Sequence, residues 1–179
     1  HLSSLERVAE YLRSIVEELL DLARFEQGSI ILSREQYILQ PIVEQAAQNQ
    51  AGYAREREVE VLLEMPTDPI RANVDSSRFL QLTSNLIVNA LNYVDQKGHV
   101  LVRLRETMHA QKRHIELQVE DDGEIIDSAL LPHQIFEPFA RPSLGTQRET
   151  GMGLAIAREI VRLHHGQIDV SSDQDGSIF

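Results

Sequence analysis

The sequence predicts an α+β fold in which one long N-terminal helix precedes an alternating series of strands and helices. In the first 26 positions, apolar residues recur at spacings of three and four, which is the period of a helix. From Ser29 onward, short β-branched runs with a period near two alternate with helical segments. The chain has 179 residues, of which 42% are hydrophobic, and is therefore long enough to bury a packed core.

The first helix is predicted to present a narrow apolar seam. Such a three-four repeat is typical of a helix in a bundle or a dimer. Because the repeat spans fewer than three full heptads, an amphipathic helix lying on its own domain stays open as the alternative. Gly28 is expected to stop this helix. The seam residues are Leu5, Val8, Leu12, Ile15, Leu19 and Leu22.

Five strands and three helices are predicted after residue 28. Asp75 or Ser76 is expected to cap the second of these helices, and Gly166 to end the third in a left-handed conformation. The third and fourth strands are expected to pair as a hairpin across a polar loop. The strands cover residues 30–32, 59–63, 100–104, 115–119 and 168–170, and the helices cover residues 40–53, 76–94 and 153–165.

Composition limits the classes of partner. With 28 acidic and 17 basic residues, the formal net charge is -11, which argues against a general binder of nucleic acids or anionic membranes. The sequence has no cysteine, which excludes disulfides, thiolate zinc sites and cysteine nucleophiles and fits a reducing compartment. No run of 18 apolar residues occurs, so no membrane contact is expected for this chain. A membrane anchor elsewhere in a larger parent protein stays open.

Residues 84–93, with the sequence SNLIVNALNY, are the most informative stretch. Asn85, Asn89 and Asn92 fall within about 60° of one another on a helix that is otherwise apolar. Arg78 and Gln81 extend this polar stripe one turn upstream. Asparagine is a poorer helix former than glutamate, lysine or glutamine, so three in eight residues suggest a ligand rather than a solvated face.

A second signal lies at residues 119–123, with the sequence VEDDG, where a strand of alternating apolar residues ends in two acids and a glycine. Asp121 could accept a hydrogen bond from an exocyclic amine such as that of adenine, and Gly123 would let the backbone pass close to the ligand. A solvated acidic turn is the alternative for this segment alone.

A third signal is the glycine pair Gly151 and Gly153, which leads directly into a helix with an apolar face. Unpaired N–H groups at a helix start attract phosphate. Tight packing alone would also explain two glycines. The preceding residues 138–150 carry Arg141 and Arg148 and are expected to form a mobile loop that closes over a phosphate chain.

In this order and with these spacings, the three segments resemble the ATP-binding domain of sensor histidine kinases, within the GHKL ATPase superfamily. Residues 85–93 resemble the N box of that family, Asp121 with Gly123 its G1 box, residues 135–139 its F box and residues 150–154 its G2 box. Residues 18–24, with the sequence ELLDLAR, resemble the end of the second helix of the dimerisation and phosphotransfer bundle.

The resemblance implies a fold and a division into domains. The fold would be a two-layer α/β sandwich, in which a mixed sheet packs on three helices, preceded by the long bundle helix. Residues 1–28 would be the second helix of an incomplete dimerisation and histidine phosphotransfer domain. Residues 29–179 would be the ATP-binding catalytic domain, with its last strand truncated.

The resemblance also assigns roles to single residues. Asn89 would coordinate Mg²⁺ through its side-chain oxygen, Asn85 would assist the phosphates, Asp121 would receive the adenine amine, and Tyr93 would lie near the base or ribose. Residues 138–150 would be the ATP lid, with Phe136 and Phe139 packing its hinge or serving as plain core residues. The backbone of Gly151 and Gly153 would cradle phosphate. The remaining ATP-binding residues would be Asn92, Gly123, Arg141, Arg148, Thr150, Met152 and Leu154.

Three positions depart from the family pattern. Ile125 stands where a second glycine usually follows Asp-x-Gly, Asn92 where a basic residue is frequent, and Glu149 where a glycine is usual. These changes could weaken ATP binding or alter the lid.

The implied function is that of a bacterial protein-histidine kinase in a two-component system. Mg²⁺-ATP would donate its γ-phosphate to a histidine, which would then phosphorylate an aspartate of a response regulator. The intact protein would be a homodimer through its N-terminal helix, with this part in the cytoplasm. No segment matches the phosphoacceptor motif, so this chain alone is expected not to autophosphorylate. One alternative is a degenerate, nucleotide-independent dimerisation and signalling module; residues 18–24 disfavour another, an anti-sigma-factor kinase.

Overall fold

The computed structural model describes residues 2–109, 111–140 and 150–179. Its four α-helices and seven strands, with one short 3-10 helix at Gln134–Phe136, alternate along the chain. In order they are α1 (Leu2–Glu26), β1 (Glu35–Ile38), α2 (Gln40–Glu56), β2 (Glu60–Glu64), β3 (Arg71–Val74), α3 (Ser76–Tyr93), β4 (His99–His109), β5 (Lys112–Asp121), α4 (Gly153–Leu163), β6 (Ser171–Asp173) and β7 (Gly176–Ile178).

The strands form a five-stranded sheet in the order β2-β4-β5-β7-β6 and a separate pair, β1 and β3. The larger sheet is mixed, because β2 pairs parallel with β4 whereas its other ladders are antiparallel. The predicted α+β class with a mixed sheet is therefore confirmed. The predicted hairpin is confirmed as well, with Val102 opposite Val119 and His109 opposite Lys112.

One face of the sheet packs on the helices and the other carries charged pairs. Along β4, Val100, Val102 and Leu104 are buried in the core that α3 and α4 share. Arg103 and Arg105 alternate with them, and Arg103 bonds Glu64 and Glu120 while Arg105 bonds Glu116. This period of two is what a sheet with one buried face requires.

The ends of α3 and α4 show how local sequence sets helix boundaries. Asp75 caps α3, since its Oδ1 accepts hydrogen bonds from the backbone N–H groups of Ser77 and Arg78, each at 3.1 Å. At the end of α4 the prediction for Gly166 was wrong. The residue with a left-handed backbone is His165, at φ 60°. The helix ends at Leu163, so the reversal falls one position before the glycine.

Two predicted strands are wrong in position. Residues 30–32 form no strand, and β1 begins at Glu35 instead. Ile30 packs against the core, but the side chain of Ile31 is 93% exposed and no strand among the described residues pairs with this run. Residues 168–170 also make no ladder, although Ile168 and Val170 pack against the core. The sheet instead ends in the short hairpin of β6 and β7, and β3 was not predicted at all.

Helix α1 divides its apolar residues between two environments. It ends at Glu26, two residues before the predicted stop at Gly28, whose φ is 62° and whose N–H bonds the carbonyl of Phe25. Leu22 and Phe25 are buried against the rest of the chain. Among the described residues, no helix is long and apolar enough to cross a membrane. From residue 12 onward, together with residues 8 and 9, where the side chains of α1 are described, the exposed large apolar ones are Val8, Leu12, Val16, Leu19 and Leu20.

Candidate nucleotide-binding site

Helix α3 brings the asparagine stripe to the glycine pair. Asn85 donates a hydrogen bond from its Nδ2 to the carbonyl oxygen of Gly153, at 3.0 Å. Gly153 lies against the same side chain, because an added Cβ would come within 3.8 Å of the Asn85 Cγ. Asn89 is half-buried one turn further along the same face of α3. Two of the three predicted segments therefore meet here.

The C-terminal end of α3 meets the remaining segment. The N–H of Glu124 bonds the carbonyl oxygen of Tyr93 at 3.3 Å. A Cβ added to Gly123 would lie 2.4 Å from that oxygen, so only glycine fits at this position. The turn after β5 is thus seated directly on the last residue of α3.

Asp121 is a buried carboxylate at the end of β5, with 6% of its surface exposed. Its Oδ1 accepts the N–H of Gly123 at 3.1 Å. Burial raises the pKa of Asp121 to about 6, and the charge of Asp122 adds to this, against the lowering effect of hydrogen bonds from the backbones of Gly123 and Ser177. Within the described parts of the chain, no cation forms an ion pair with it. Such a carboxylate is suited to accept hydrogen bonds from a neutral donor such as an amine.

The polar residues of the α3 stripe do not all face the same partner. Asn92 is only 8% exposed, and its Oδ1 accepts a hydrogen bond from the Tyr53 hydroxyl of α2 at 2.5 Å. At the upstream end, Arg78 and Gln81 both donate to Asp21 of α1, each at 2.8 Å. Of the three asparagines, Asn85 is therefore the one that contacts the glycine pair.

The glycine pair provides backbone groups at the start of α4. Gly151 has φ 69°, and its carbonyl accepts the N–H of Phe139 at 2.8 Å. Met152 precedes α4 and supplies no side-chain cap to the helix. The side chains of Met152 and Leu154 are buried, so these two residues would offer a ligand their backbone only. A helix start without a cap favours an anionic ligand.

Thr150 connects this segment to α1. Its hydroxyl donates to a carboxylate oxygen of Glu18 and accepts the N–H of Met152 at 3.2 Å. Glu18 was not predicted as part of the site. The two residues are 132 positions apart, and no local pattern marks such a contact.

The two phenylalanines of residues 135–139 differ in burial. Phe136 is buried and meets the ring of Phe179 edge-on, with 6.4 Å between ring centroids. Phe139 is 60% exposed and has φ 63°, so the core interpretation holds for Phe136 only. The predicted lid residues Arg141 and Arg148, together with Glu149, lie outside the described residues.

Ile125 is accommodated without backbone strain. It is not among the residues with a positive φ, and its side chain is 58% exposed. The next residue, Ile126, is buried, and its N–H bonds the Ser172 hydroxyl at 3.0 Å. The backbone beyond Gly123 is thereby tied to β6.

A cavity of about 960 Å³ lies elsewhere, between β5 and residues 164–171. Phe79, Leu82 and Leu86 of α3 contribute to its lining. None of the predicted site residues lines it, so its size carries no argument for nucleotide binding.

Residues 74–179, more than half of the chain, match the model of the histidine kinase-, DNA gyrase B- and HSP90-like ATPase family. The chain belongs to this family.

Individual relatives agree with this assignment. The chain is 32% identical over 183 residues to the sensor histidine kinase TrcS of Mycobacterium tuberculosis, covering 99% of this chain and 35% of TrcS. The structure of the Acinetobacter baumannii histidine kinase AdeS is similar with a TM-score of 0.80 and 25% identity, over 99% of this chain and 80% of that one. Histidine kinase ThkA, solved in complex with response regulator TrrA, shares the fold with a TM-score of 0.73 and 22% identity, over 99% of this chain and 47% of that one.

The chain is much shorter than its curated relatives. It spans 19%, 35% and 27% of the length of three of them.

Proposed function

We propose that this chain is the Mg²⁺-ATP-binding catalytic domain of a sensor histidine kinase. The observation that carries the proposal is the meeting of three segments on α3: Asn85 bonds Gly153 at one end, and Tyr93 holds the turn after Asp121 at the other. Asp121 would accept the adenine amine, and the backbone of Gly151 and Gly153 would take the phosphates. A triphosphate would then run along the polar face of α3 between these two places.

The amide donors on this face of α3 fit Mg²⁺. Asn89 offers a hard amide oxygen, the ligand type that Mg²⁺ prefers, and Mg²⁺ at such sites commonly takes its remaining ligands from phosphates and water. When bound, the ion would screen the triphosphate charge in a protein of net charge -11. Asn85, already bonded to Gly153, would orient the phosphate end.

The reaction proposed for the intact protein is phosphoryl transfer to a histidine and then to an aspartate of a response regulator. Such a transfer requires mainly positioning and charge stabilisation, which α3 and the turn packed on its end can supply. The relatives support this proposal: TrcS is a sensor histidine kinase, and ThkA was solved with a response regulator. The domain would act in the cytoplasm, together with ATP and the response regulator.

The exposed apolar side chains of α1 support homodimerisation. Of the predicted seam, Val8, Leu12 and Leu19 are exposed and free to meet a second helix, whereas Ile15 and Leu22 pack on the domain. We propose that residues 1–28 belong to the bundle of a dimer and residues 29–179 to the ATP-binding domain. The division falls just after Gly28, where α1 is capped.

A thermal-shift titration with millimolar Mg²⁺-ATP tests the proposal. The nucleotide-binding function predicts a melting temperature that rises with the logarithm of ligand concentration above the dissociation constant, because ATP binds the folded state only. A nucleotide-independent dimerisation module, which Ile125 and Glu149 favour, predicts no shift together with a concentration-dependent dimer. For a longer form that includes the phosphoacceptor helix, labelled phosphate from ATP is expected to be acid-labile. Acid-stable label would point to a serine kinase of another branch.

A further inference from the structure

We propose that Arg57, assisted by Tyr53, is a positioning residue for adenine recognition. Both residues lie at the C-terminal end of α2 and contact the C-terminal end of α3. The proposal rests on the nucleotide-binding function argued above, and it concerns residues that no local sequence pattern marks.

Arg57 holds two carbonyl groups at the end of α3. Its Nη1 donates to the carbonyl oxygen of Asn92 at 3.3 Å, and its Nη2 donates to that of Val94 at 3.0 Å. The last carbonyls of a helix have no partners within the helix, and a cation placed there also meets the negative end of the helix dipole. The planar fork of the guanidinium can bind two acceptors at once, which fixes both their separation and their direction.

In sequence, the carbonyl between these two belongs to Tyr93, and the turn that follows Asp121 packs against it. Tyr93 accepts the N–H of Glu124, and Gly123 packs directly on its carbonyl. Gly123 in turn bonds the carboxylate of Asp121. The backbone of Asp121 is paired with β4 and β7, whereas the turn that bonds its carboxylate rests on the end of α3, which Arg57 restrains from the other side.

Tyr53 adds a second restraint, on the last turn of α3. Its hydroxyl donates to the side chain of Asn92, the residue whose backbone carbonyl binds Arg57. The last turn of α3 is thus held by Arg57 at its backbone and by Tyr53 at a buried side chain. This arrangement also gives the Asn92 side chain a structural role.

The effect expected from losing these restraints is specific to the base. A misplacement of about 1 Å can reduce the effectiveness of a binding or catalytic group by as much as about 100-fold. A displaced Asp121 would impair recognition of the adenine amine, whereas the glycine pair and Asn85 would still meet the phosphates. ATP affinity should then fall more than the affinity for a nucleotide whose base lacks the amine.

The experiment measures dissociation constants for Mg²⁺-ATP and for Mg²⁺-ITP, whose base carries a carbonyl in place of the amine. Arg57→Met is compared with Arg55→Met, which removes the same charge from an exposed position of α2. The Arg57 variant is expected to lose about fivefold or more in ATP affinity and about twofold or less in ITP affinity. The Arg55 variant is expected to match the wild type with both nucleotides.

The outcomes separate this proposal from the proposed function. A wild type that binds neither nucleotide overturns both. If the wild type prefers ATP and Arg57→Met keeps the same preference, the positioning role alone is overturned. This holds whether the two affinities of Arg57→Met are unchanged or both fall by the same factor. If Arg57→Met does not fold, Arg57→Lys and Tyr53→Phe are measured instead. Each is expected to show a smaller loss of the ATP preference, and an unchanged preference in both contradicts the proposal.

Discussion

The backbone of Gly123 lies so close to Tyr93 that a Cβ atom at position 123 would come within 2.4 Å of the Tyr93 carbonyl oxygen and 2.7 Å of its carbonyl carbon. Because both atoms belong to the backbone at the end of α3, they cannot move aside as the end of a flexible side chain could. The turn that carries Asp121 therefore requires glycine at this point.

Gly123→Ala is expected to lower the free energy of unfolding by about 1–3 kcal/mol, as overpacking against a fixed backbone does. Gly52→Ala is the matched control. It lies in α2, where an added Cβ meets nothing within 4 Å, and it should raise stability by about 0.5–1 kcal/mol through its helix propensity. Urea denaturation measures both. Equal stability of Gly123→Ala and the wild type would contradict the close contact.

Asp121 should make folding stability fall as pH rises. Its pKa is about 6 in the folded protein against an ordinary value of 3.8. Below pH 3.8 the carboxyl is protonated in both states and has no effect. Between pH 3.8 and 6 the unfolded state loses its proton first, so folding is progressively weakened, on the order of 3 kcal/mol in full above pH 6.

Asp121→Asn tests that sign directly. It should be more stable than the wild type at pH 7 and closer to it at pH 4, although it loses the carboxylate proposed to bind adenine. Asp122→Asn is the control of opposite sign. Burial acts to raise the pKa of Asp122, but hydrogen bonds from His99 outweigh burial and hold this pKa below its usual value. Asp122→Asn should therefore lose stability at pH 7.

The contact between Asp21 and Arg78 should hold the end of α1 on the domain. Burial tends to raise the pKa of Asp21, yet hydrogen bonds from Arg78 and Gln81 lower it overall, so the contact should persist down to acidic pH and weaken as Asp21 is protonated. Asp21→Asn is expected to speed amide hydrogen exchange in α1. Glu17→Gln, in an exposed pair with Arg13 at 3.8 Å, is the control. Equal exchange in both variants would contradict the docking role.

The exposed face of α1 should mediate self-association. Leu12→Glu places a charge in the middle of the exposed seam and is expected to shift any dimer toward monomer in sedimentation experiments at increasing concentration. Arg13→Glu, at an exposed position next to the seam, is the control. A dimer that withstands Leu12→Glu would place the interface elsewhere.

The helices were predictable because their signals are local. The cap at Asp75, the asparagine and apolar faces of α3, and Gly28 after α1 all act within one or two turns, and the observed boundaries follow them. The run at residues 30–32 has equally good β-branched character, but Ile31 is exposed because nothing packs over it. Strands need a neighbour, and residues 71–74 became β3 because β1 pairs with them.

The candidate site was predictable as a set of segments but not as a network. Asn85, Asp121 and the glycine pair were recognised from residue type and spacing. The partners that decide how each one is used lie far away in sequence: Tyr53 is 39 positions from Asn92, and Glu18 is 132 from Thr150. Such contacts depend on how helices pack together, which no spacing within a single helix reveals.

Calorimetric titration of Mg²⁺-ATP into the wild type and Asn89→Ala tests whether this domain binds Mg²⁺-ATP through Asn89. Saturable binding to the wild type, weakened when Mg²⁺ is chelated, is expected. For Asn89→Ala an affinity lower by about tenfold or more is expected, since loss of a ligand in a charged site costs about 1.4 kcal/mol or more. Heat from neither protein would contradict the nucleotide site, and equal affinities would contradict the role of Asn89 as the Mg²⁺ ligand.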